Sequence, residues 1–201
     1  MTTGVGVLSG GVGQIVYRTA TTLTGFIADE HYSLDWLFDV DNQVAPDHAE
    51  FMASVGAIVK GSTTYEWLLR HSDLLARPER WQEFYGARPT FVFTTRTLTV
   101  PQGADVRFLR GPIADALPAI REAAGGRDIW VVGGGDLAGQ FADAGALDRI
   151  ELTIAPVALA AGAPLLPRRL EAARMSLLDV ERYGQFAHLT YALRSHRSAH
   201  S

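Results

Sequence analysis

The sequence predicts an α/β domain with a mostly parallel sheet that helices cover on both faces. Short β-branched or aromatic runs alternate with helical patterns along most of the chain, which is typical of parallel βαβ units. Runs such as AIVKG and DIWVV lack polar alternation, as expected of strands buried on both faces. Residues 175–194 do alternate around a Tyr-Gly pair, which predicts an antiparallel hairpin at one edge of the sheet.

The first half of the chain contains signals for two strands and two helices. QIVYRTATT is rich in β-branched residues and predicts a strand, which turns into a loop at the glycine that follows. PDHAEFMASVG has Pro and Asp at helix-start positions and apolar residues at helical spacing, which predicts a short helix. AIVKG predicts a buried strand, and STTYEWLLRH predicts the next helix.

The start of that second helix carries a capping signal. Ser62 or Thr63 is predicted as the N-cap, and Glu66 is predicted to reach back to Thr63 as a capping box. Such a box would satisfy some of the main-chain N–H groups that a helix start leaves unpaired.

The second half of the chain continues the alternation of strands and helices. Compact β-branched runs predict the strands, and Pro112 opens a helix whose middle contains Pro118. The predicted elements are a helical piece at 81–85, strands at 89–96 and 105–111, a helix at 112–126, a strand at 128–132, a helix at 136–144, a strand at 148–156 and the hairpin.

The stretch DIWVVGGGDLAGQF places three consecutive glycines between a strand and a helix. The exposed N–H groups of a helix start attract phosphate, and glycines let a ligand approach the backbone. Gly133, Gly134 and Gly135 therefore suit a nucleotide diphosphate, although a tight strand-to-helix turn also explains them. A Rossmann motif fits poorly in spacing, and no Lys-Ser/Thr pair follows to make a P-loop.

Three other predicted strand ends carry glycine or small hydroxyl residues, in TLTGFIA, KGSTTYE and FTTR. In an open α/β sheet, ligands bind outside the carboxyl ends of the strands. Four such ends are therefore expected to line one crevice, which favours a nucleotide-binding interpretation of the glycine turn.

These segments, in this order, resemble the dihydrofolate reductase-like superfamily. They are most similar to the reductase domain that forms the C-terminal half of the bifunctional riboflavin-biosynthesis deaminase/reductase, and to its stand-alone relatives. The resemblance runs from about residue 15 to residue 193, and the segments that carry it are TTLTGFIA, GAIVKGSTTYE, DIWVVGGGDLAGQF and LDRIELTIAPVALAAGAPLLP. The resemblance implies a dihydrofolate reductase-like fold, NADPH as cofactor and a homodimer.

The resemblance also implies which residues bind NADPH. They lie at two helix starts and one strand end, and they are Gly61, Ser62, Thr63, Thr64, Thr94, Thr95, Arg96, Gly133, Gly134, Gly135, Asp136, Leu137 and Ala138. Arg96 is the candidate for the adenosine 2′-phosphate, because a guanidinium can bind that group bidentately; the alternative is a solvated loop arginine. Relatives often carry a basic residue where this chain has Ser62, which weakens one phosphate contact.

On the substrate side, the resemblance implies Thr24, Gly25, Asp35, Trp36 and Phe51 as contacts. Relatives usually carry an aspartate where this chain has Thr24, so the role of that carboxylate is lost. The segment SLDWLF resembles a loop that closes over substrate; alternatively, it is an acidic surface loop with its tryptophan in the core.

Reduction of a C=N or C=O bond needs a proton as well as a hydride. The resemblance to dihydrofolate reductases puts forward Asp47 and, one turn later, Glu50 as catalytic carboxyl groups. For Asp47 the competing interpretation is structural, since an aspartate at a helix start is a common N-cap.

The predicted function is an NADPH-dependent reductase that acts on a small polar or heterocyclic substrate. Within the family, this would be a 5-amino-6-(5-phosphoribosylamino)uracil reductase-like activity of riboflavin biosynthesis. The alternative is a nucleotide-binding or sensing protein that keeps the cofactor pocket without turnover.

Composition excludes several other classes. The formal net charge of -4 lacks the basic surplus of nucleic-acid-binding proteins, and zero cysteines rule out disulfides, thiolate metal sites and a cysteine nucleophile. We expect no metal, because the histidines do not form H-E-x-x-H and a calcium-loop-like stretch has Val44 where glycine is required. No apolar run is long enough for a membrane span, so a cytoplasmic location is expected. The predicted domain covers 14–195, between flexible tails at 1–13 and 196–201.

Overall fold

A computed structural model describes residues 13–41 and 47–194. The predicted tails lie outside the described residues except at one position. There, the carbonyl oxygen of Gly13 accepts a hydrogen bond from the Arg121 guanidinium at 3.3 Å.

The described residues form strands and helices close to the predicted positions. The strands are β1 (Ile15–Thr22), β2 (Phe26–Ala28), β3 (Val55–Gly61), β4 (Thr90–Phe93), β5 (Val106–Leu109), β6 (Asp128–Gly133), β7 (Arg149–Ala155), β8 (Ala163–Pro164), β9 (Met175–Tyr183) and β10 (Phe186–Leu193). The helices are α1 (Asp35–Phe38), α2 (His48–Ser54), α3 (Ser62–His71), α4 (Glu79–Tyr85), α5 (Ile113–Ala124) and α6 (Gly135–Asp143).

Eight of these strands form one sheet in the order β5-β4-β3-β6-β1-β7-β10-β9. Neighbouring strands from β5 to β7 pair in parallel, whereas β10 pairs antiparallel with both β7 and β9. The predicted fold class is therefore confirmed, including the antiparallel hairpin at the edge.

The core lies in two layers, one on each face of the sheet, because successive side chains of a strand point to opposite faces. Tyr17 of β1 packs with residues of α5 and α6, such as Ile120 and Phe141. Its neighbour Val16 packs in the other layer with residues of α2, α3 and α4, such as Trp81. Helices thus cover both faces, as predicted.

The predicted capping box is wrong. Helix α3 has Gly61 as its N-cap, and no side chain caps it. Ser62 is already the first helical residue, so neither Ser62 nor Thr63 occupies the capping position. Glu66 binds Arg96, 30 residues away in sequence, and does not reach back to Thr63.

Three short elements were not predicted. Helix α1 has four residues, and β2 with β8 makes a separate two-stranded antiparallel sheet of three and two residues. Elements of this length have no clear periodicity in sequence. Helix α5 passes through Pro118 without ending.

Candidate functional site

A cavity of about 860 Å³ opens at the carboxyl ends of β3, β4 and β6, beside Thr19 in the middle of β1. Its volume lies in the range of small-molecule sites, roughly 300–1,000 Å³. The lining residues are Thr19, Ile27, Ala28, Asp29, Glu30, Tyr32, Leu34, Gly61, Ser62, Thr63, Thr64, Trp67, Leu68, Phe93, Val132, Gly133, Gly134, Gly135, Asp136, Leu137, Gln140, Ala161, Gly162, Ala163, Pro164 and Pro167.

The glycine turn forms one side of this cavity. Gly134 is the N-cap of α6, and a Cβ built on it would meet no atom within 4 Å, so this residue faces open space. A Cβ on Gly135 would instead overlap the carbonyl oxygens of Pro164 and Leu165. The Gly133–Gly134 peptide bond is cis. The two adjacent glycines therefore serve different needs: open access at Gly134 and close packing of the main chain at Gly135.

The start of α3 lies directly opposite. A Cβ on Gly61 would lie 3.5 Å from the amide nitrogen of Gly134, and one on Gly133 would lie 3.5 Å from the Thr64 hydroxyl oxygen. Neither α3 nor α6 has a side-chain cap. The first N–H groups of a helix lack partners within the helix, so two sets of unpaired donors converge on one cavity.

The charged side chains in the lining are acidic: Asp29, Glu30 and Asp136. Asp29 accepts hydrogen bonds from the main-chain N–H groups of His31 and Ser33, both at 2.8 Å, and so shapes its own turn. Hydrogen bonds lower the pKa of Asp136, with the larger effect from Gln140 and a smaller one from Arg168. Across residues 13–41 and 47–194, no lysine, arginine or histidine contributes to the lining.

Most of the predicted cofactor residues come together in this cavity. Gly61–Thr64 and Gly133–Leu137 all line it. Ala138 is buried beneath the glycine turn in the core, and its N–H donates to the Gly134 carbonyl at 3.1 Å. Two of the four predicted ends, the glycine turn and the start of α3, therefore line the same part of the cavity.

The third predicted cofactor segment lies beside the cavity. Thr94 and Thr95 follow the lining residue Phe93 but are not in the lining themselves. Arg96 donates to both carboxylate oxygens of Glu66, at 3.1 and 2.6 Å, in a half-exposed ion pair. Its role toward a 2′-phosphate stays a prediction.

None of the predicted substrate residues lies in this lining. Thr24 binds the loop after β7, since its hydroxyl donates to the Leu159 carbonyl at 2.8 Å and accepts from the Leu159 N–H at 2.9 Å. Gly25 adopts a positive φ of 82°, and its carbonyl accepts from Leu165 at 2.8 Å. Phe51 is buried beneath the Arg18 guanidinium, which lies 4.2 Å from its ring centre.

Asp35 and Trp36 belong to α1, where the two residues differ in exposure. Asp35 is exposed, and Trp36 is buried in a small cluster with Ala155 and Phe186. The packing matches the interpretation of this segment as an acidic surface turn with its tryptophan in the core. Closure of the segment over a substrate stays a prediction.

Asp47 is the N-cap of α2, and a single oxygen, Oδ1, accepts from the N–H groups of Ala49 and Glu50 at 2.8 and 3.1 Å. Glu50 lies in the first turn of the same helix and is exposed. Neither carboxyl group is in the cavity lining. The capping role is present in the structure, whereas proton donation stays a prediction.

The sequence did not indicate several lining residues. These include Tyr32, which lies in a loop, and Trp67, which lies on the side of α3. They also include residues 161–164, in the segment where β8 pairs with β2. Their place depends on the small second sheet, for which the sequence carries no periodic signal. Thr19 does have a signal, since it follows Tyr17 on the same face of β1.

The opposite face of β1 carries a second polar cluster that the sequence did not reveal. Arg18 lies 3.6 Å from Glu151 of β7, and His188 of β10 contacts the hydroxyl of Thr153 through Nδ1 at 3.1 Å. Burial lowers the pKa of His188, and the nearby Arg18 charge lowers it further. Arg18 also lies over the ring of Phe51, so these polar groups lie between α2 and the antiparallel edge of the sheet.

The described residues contain no group of three or more His, Asp or Glu side chains placed to hold a metal ion. Nor, in the same residues, does any helix have the length and apolar character that crossing a membrane requires.

The model of the RibD C-terminal domain family matches residues 14–189. The chain belongs to this family. The match includes both helix starts at the cavity and most of the C-terminal hairpin, so the family assignment covers the whole candidate site.

Two proteins of Bacillus subtilis (strain 168), both named as uncharacterized proteins, are similar to this chain in sequence. YwjB is 28% identical over 178 residues, which cover 89% of this chain and 97% of YwjB. YyaP is 25% identical over 158 residues, which cover 76% of this chain and 79% of YyaP. Both similarities cover most of the length of each relative.

Solved structures agree with the family assignment. A Shewanella sp. PV-4 protein provisionally assigned to riboflavin biosynthesis is 25% identical, with a TM-score of 0.72, and the match covers 90% of this chain and 99% of that one. A deaminase/5-amino-6-(5-phosphoribosylamino)uracil reductase of Thermotoga maritima is 14% identical, with a TM-score of 0.60, over 90% of this chain and 57% of that one. The Shewanella match supports the dihydrofolate reductase-like fold, and the Thermotoga match shows the fold alone.

Proposed function

We propose that the protein is a reductase that transfers a hydride from a reduced nicotinamide dinucleotide, NADPH by family resemblance, to a small polar or heterocyclic substrate. One observation carries the proposal: the uncapped starts of α3 and α6 converge on a single cavity at Gly134, where the backbone is open. A diphosphate fits such a pair of helix starts, because their N–H groups are free and no Cβ intervenes.

Different residues of the cavity would bind the diphosphate and exclude water. Main-chain N–H groups at Ser62–Thr64 and Gly134–Asp136 would hold the diphosphate, and the apolar side chains of Ile27, Leu34 and Val132 would keep water from the reacting end. The bound dinucleotide supplies the hydride, which is chemistry of the cofactor itself. The chain mainly has to orient donor and acceptor.

The lining also restricts the substrate. The Thermotoga maritima neighbour is named as a reductase of a phosphoribosylamino uracil, a substrate that carries a phosphate. Within the described part of this chain, the lining has no cationic side chain to pair with such a group. We therefore propose an uncharged small heterocycle or carbonyl compound, with homodimer formation and a cytoplasmic location as further expectations.

Binding of the dinucleotide is the first test. Trp67 lies in the lining, so its fluorescence should change on titration with NADPH or NADH up to millimolar concentration, and the melting temperature should rise. Absence of both responses with both dinucleotides would contradict the proposal. Oxidation of the dinucleotide by one of a panel of imines, quinones and aldehydes would then establish turnover.

A second candidate is a nucleotide-binding or sensing protein without turnover. It is favoured by Thr24 and Ser62, which replace charged residues of the family, and by the placement of Asp47 and Glu50 outside the cavity lining. Dinucleotide binding with no oxidation across the whole panel would support it.

The role of Asp47 can be separated from its capping role. Serine caps helices about as well as aspartate does, so Asp47→Ser should leave the melting temperature nearly unchanged. If Asp47 supplies the proton through Oδ2, turnover should fall by about 100-fold or more. Turnover within a factor of about three of the unmodified protein would remove Asp47 as a donor. Glu50→Gln, measured in parallel, tests the other predicted carboxyl group.

A further inference from the structure

We propose that the ion pair between Glu66 and Arg96 decides which dinucleotide the cavity accepts, and that the chain binds NADH at least as tightly as NADPH. This inference rests on the proposed function, since it concerns the same cavity. NADPH differs from NADH by a phosphate on the 2′ oxygen of the adenosine ribose. Selectivity therefore depends on how the chain meets that phosphate.

The charge around the cavity favours the less anionic dinucleotide. Its charged lining residues, Asp29, Glu30 and Asp136, are acidic, and in the described part of the chain no basic side chain joins them. Main-chain N–H groups can hold a diphosphate without a cation. A 2′-phosphate adds roughly 1.5 to 2 further negative charges, for which these N–H groups leave no counterpart.

The two arginines beside the cavity are already bound to carboxylates. Arg168 donates to the lining residue Asp136 at 2.9 Å and to Asp143 at 2.7 Å. Arg96 donates to Glu66 through both terminal nitrogens, at 3.1 and 2.6 Å. A planar guanidinium can take a phosphate through the same pair of nitrogens, and Glu66 occupies this edge of Arg96.

The position of this ion pair links it to the cavity. Glu66 lies one turn after Thr63 on α3, and Arg96 lies three residues after Phe93 at the end of β4; Thr63 and Phe93 both line the cavity. The ion pair therefore joins the two elements that form one side of the site. A ligand group at that side would meet a carboxylate and a guanidinium together.

The two dinucleotides meet this ion pair differently. A 2′-phosphate that binds Arg96 through its two terminal nitrogens has to displace Glu66, and through either edge of the guanidinium it lies near the like charge of that carboxylate. The 2′-hydroxyl of NADH carries no charge and can donate a hydrogen bond to a carboxylate, as ribose hydroxyls do in other dinucleotide sites. Glu66 thus disfavours NADPH and accepts NADH.

The test compares Glu66→Gln with the unmodified protein. Gln keeps the size of the side chain and removes its charge, so Arg96 becomes available to a phosphate. We expect the unmodified protein to bind NADH with a Kd equal to or below that of NADPH. In Glu66→Gln, the Kd of NADPH should fall by about three- to tenfold, while that of NADH stays within about twofold. Isothermal titration and tryptophan fluorescence measure both constants.

A matched control and a second variant keep the result interpretable. Glu79→Gln removes a carboxylate that pairs with Arg77 at 3.6 Å outside the cavity lining, and it should leave both constants unchanged. Ser62→Arg places a cation at the first residue of α3 and should tighten NADPH, the more anionic dinucleotide, more than NADH. Melting temperatures confirm that each variant folds. AMP and adenosine 2′,5′-bisphosphate, used as competitors, should reproduce the ratio without the nicotinamide.

The outcomes separate this inference from the proposed function. Tighter binding of NADPH than of NADH by the unmodified protein, or a ratio that Glu66→Gln does not move, overturns the inference and leaves the reductase proposal standing. Failure of both dinucleotides to bind overturns the proposed function and this inference with it.

Discussion

The two helix starts that face the cavity are supported in different ways. Behind the start of α6, Gly135 packs against the carbonyl oxygens of Pro164 and Leu165, and the Tyr17 hydroxyl holds that segment by donating to the Leu165 carbonyl at 2.9 Å. Behind the start of α3 lies Lys60, which is fully buried. One support is a close main-chain contact, and the other is a cationic group in an apolar layer.

Lys60 has aromatic neighbours in place of hydrogen-bond partners. Its Nζ lies 3.5 Å from the ring centre of Tyr85 and 5.1 Å from that of Trp81, and no acceptor is within reach of it. A desolvated cation–π contact contributes about 2 kcal/mol, whereas burial of an ion costs several kcal/mol. Burial therefore dominates and lowers the pKa of Lys60 well below its ordinary value.

Both helix starts follow a strand end, but their supports differ in kind. The stability of the α6 start depends on close main-chain packing, and that of the α3 start depends on the protonation of a buried amine. Between neutral and moderately alkaline pH the stability of the α6 start should not change, because main-chain packing involves no titrating group, the pKa of Asp136 is lowered and that of Tyr17 is raised. The stability of the α3 start should depend on pH through Lys60. Substitutions at each support can break or sharpen this difference.

The largest effect is expected at Gly135. Gly135→Ala forces a methyl group into main-chain carbonyl oxygens that cannot rotate away, so the free energy of unfolding should fall by about 3 kcal/mol at every pH. Urea denaturation at several pH values measures this. A loss below about 0.5 kcal/mol would show that the contact with residues 164–165 is not tight.

The next largest effect is expected at Lys60. Lys60→Met keeps the length of the side chain and removes the buried amine, so the free energy of unfolding near pH 7 should rise by about 1 to 3 kcal/mol. Folding lowers the pKa of Lys60, so the unfolded chain binds this proton at a higher pH than the native chain does. The unmodified protein should therefore lose stability relative to Lys60→Met as pH falls from the ordinary lysine pKa of 10.5 toward neutrality.

Denaturation of both proteins between pH 7 and 10 checks the sign of this effect. Lys60→Arg is a useful companion, since it keeps a charge that cannot be lost in this range and should be the least stable of the three. Equal pH profiles for the unmodified protein and Lys60→Met would contradict the assignment of a displaced titration to Lys60.

The smallest effect on stability is expected at Gly134, which serves as the matched control for Gly135. Gly134→Ala adds a methyl group where no atom lies within 4 Å, so the free energy of unfolding should change by less than about 0.5 kcal/mol. The same methyl group projects into the proposed diphosphate site. Dinucleotide affinity should fall by about tenfold or more, as measured by tryptophan fluorescence. Unchanged affinity would place the diphosphate elsewhere.

The sequence predicted those parts of the site that depend on neighbouring residues along the chain. Glycine-rich helix starts after buried strands are local signals, and together with the family resemblance they led to residues 62–64 and 133–137, which do line the cavity. The mostly parallel sheet followed from strand-helix alternation. The family resemblance added the expectation of a dinucleotide.

The rest depends on contacts between distant segments. Glu66 meets Arg96 across 30 residues, and this contact replaced the predicted capping box. In the sequence, Lys60 is one polar residue in an apolar strand. Its burial becomes visible only in the structure, where Tyr85 of α4 covers its amine. Residues 161–164 line the cavity because the two-residue strand β8 pairs with β2, an element too short to leave a pattern.

The reciprocal hydrogen bonds between the Thr24 hydroxyl and Leu159 have one more consequence. They tie the turn after β1 to the loop after β7, and Leu165 is tied to the same turn through the carbonyl of Gly25. Two surface segments that are far apart in sequence must therefore shift as a unit. A ligand that contacts these two segments finds them already ordered in the folded protein. Binding therefore does not include the entropy cost of ordering them.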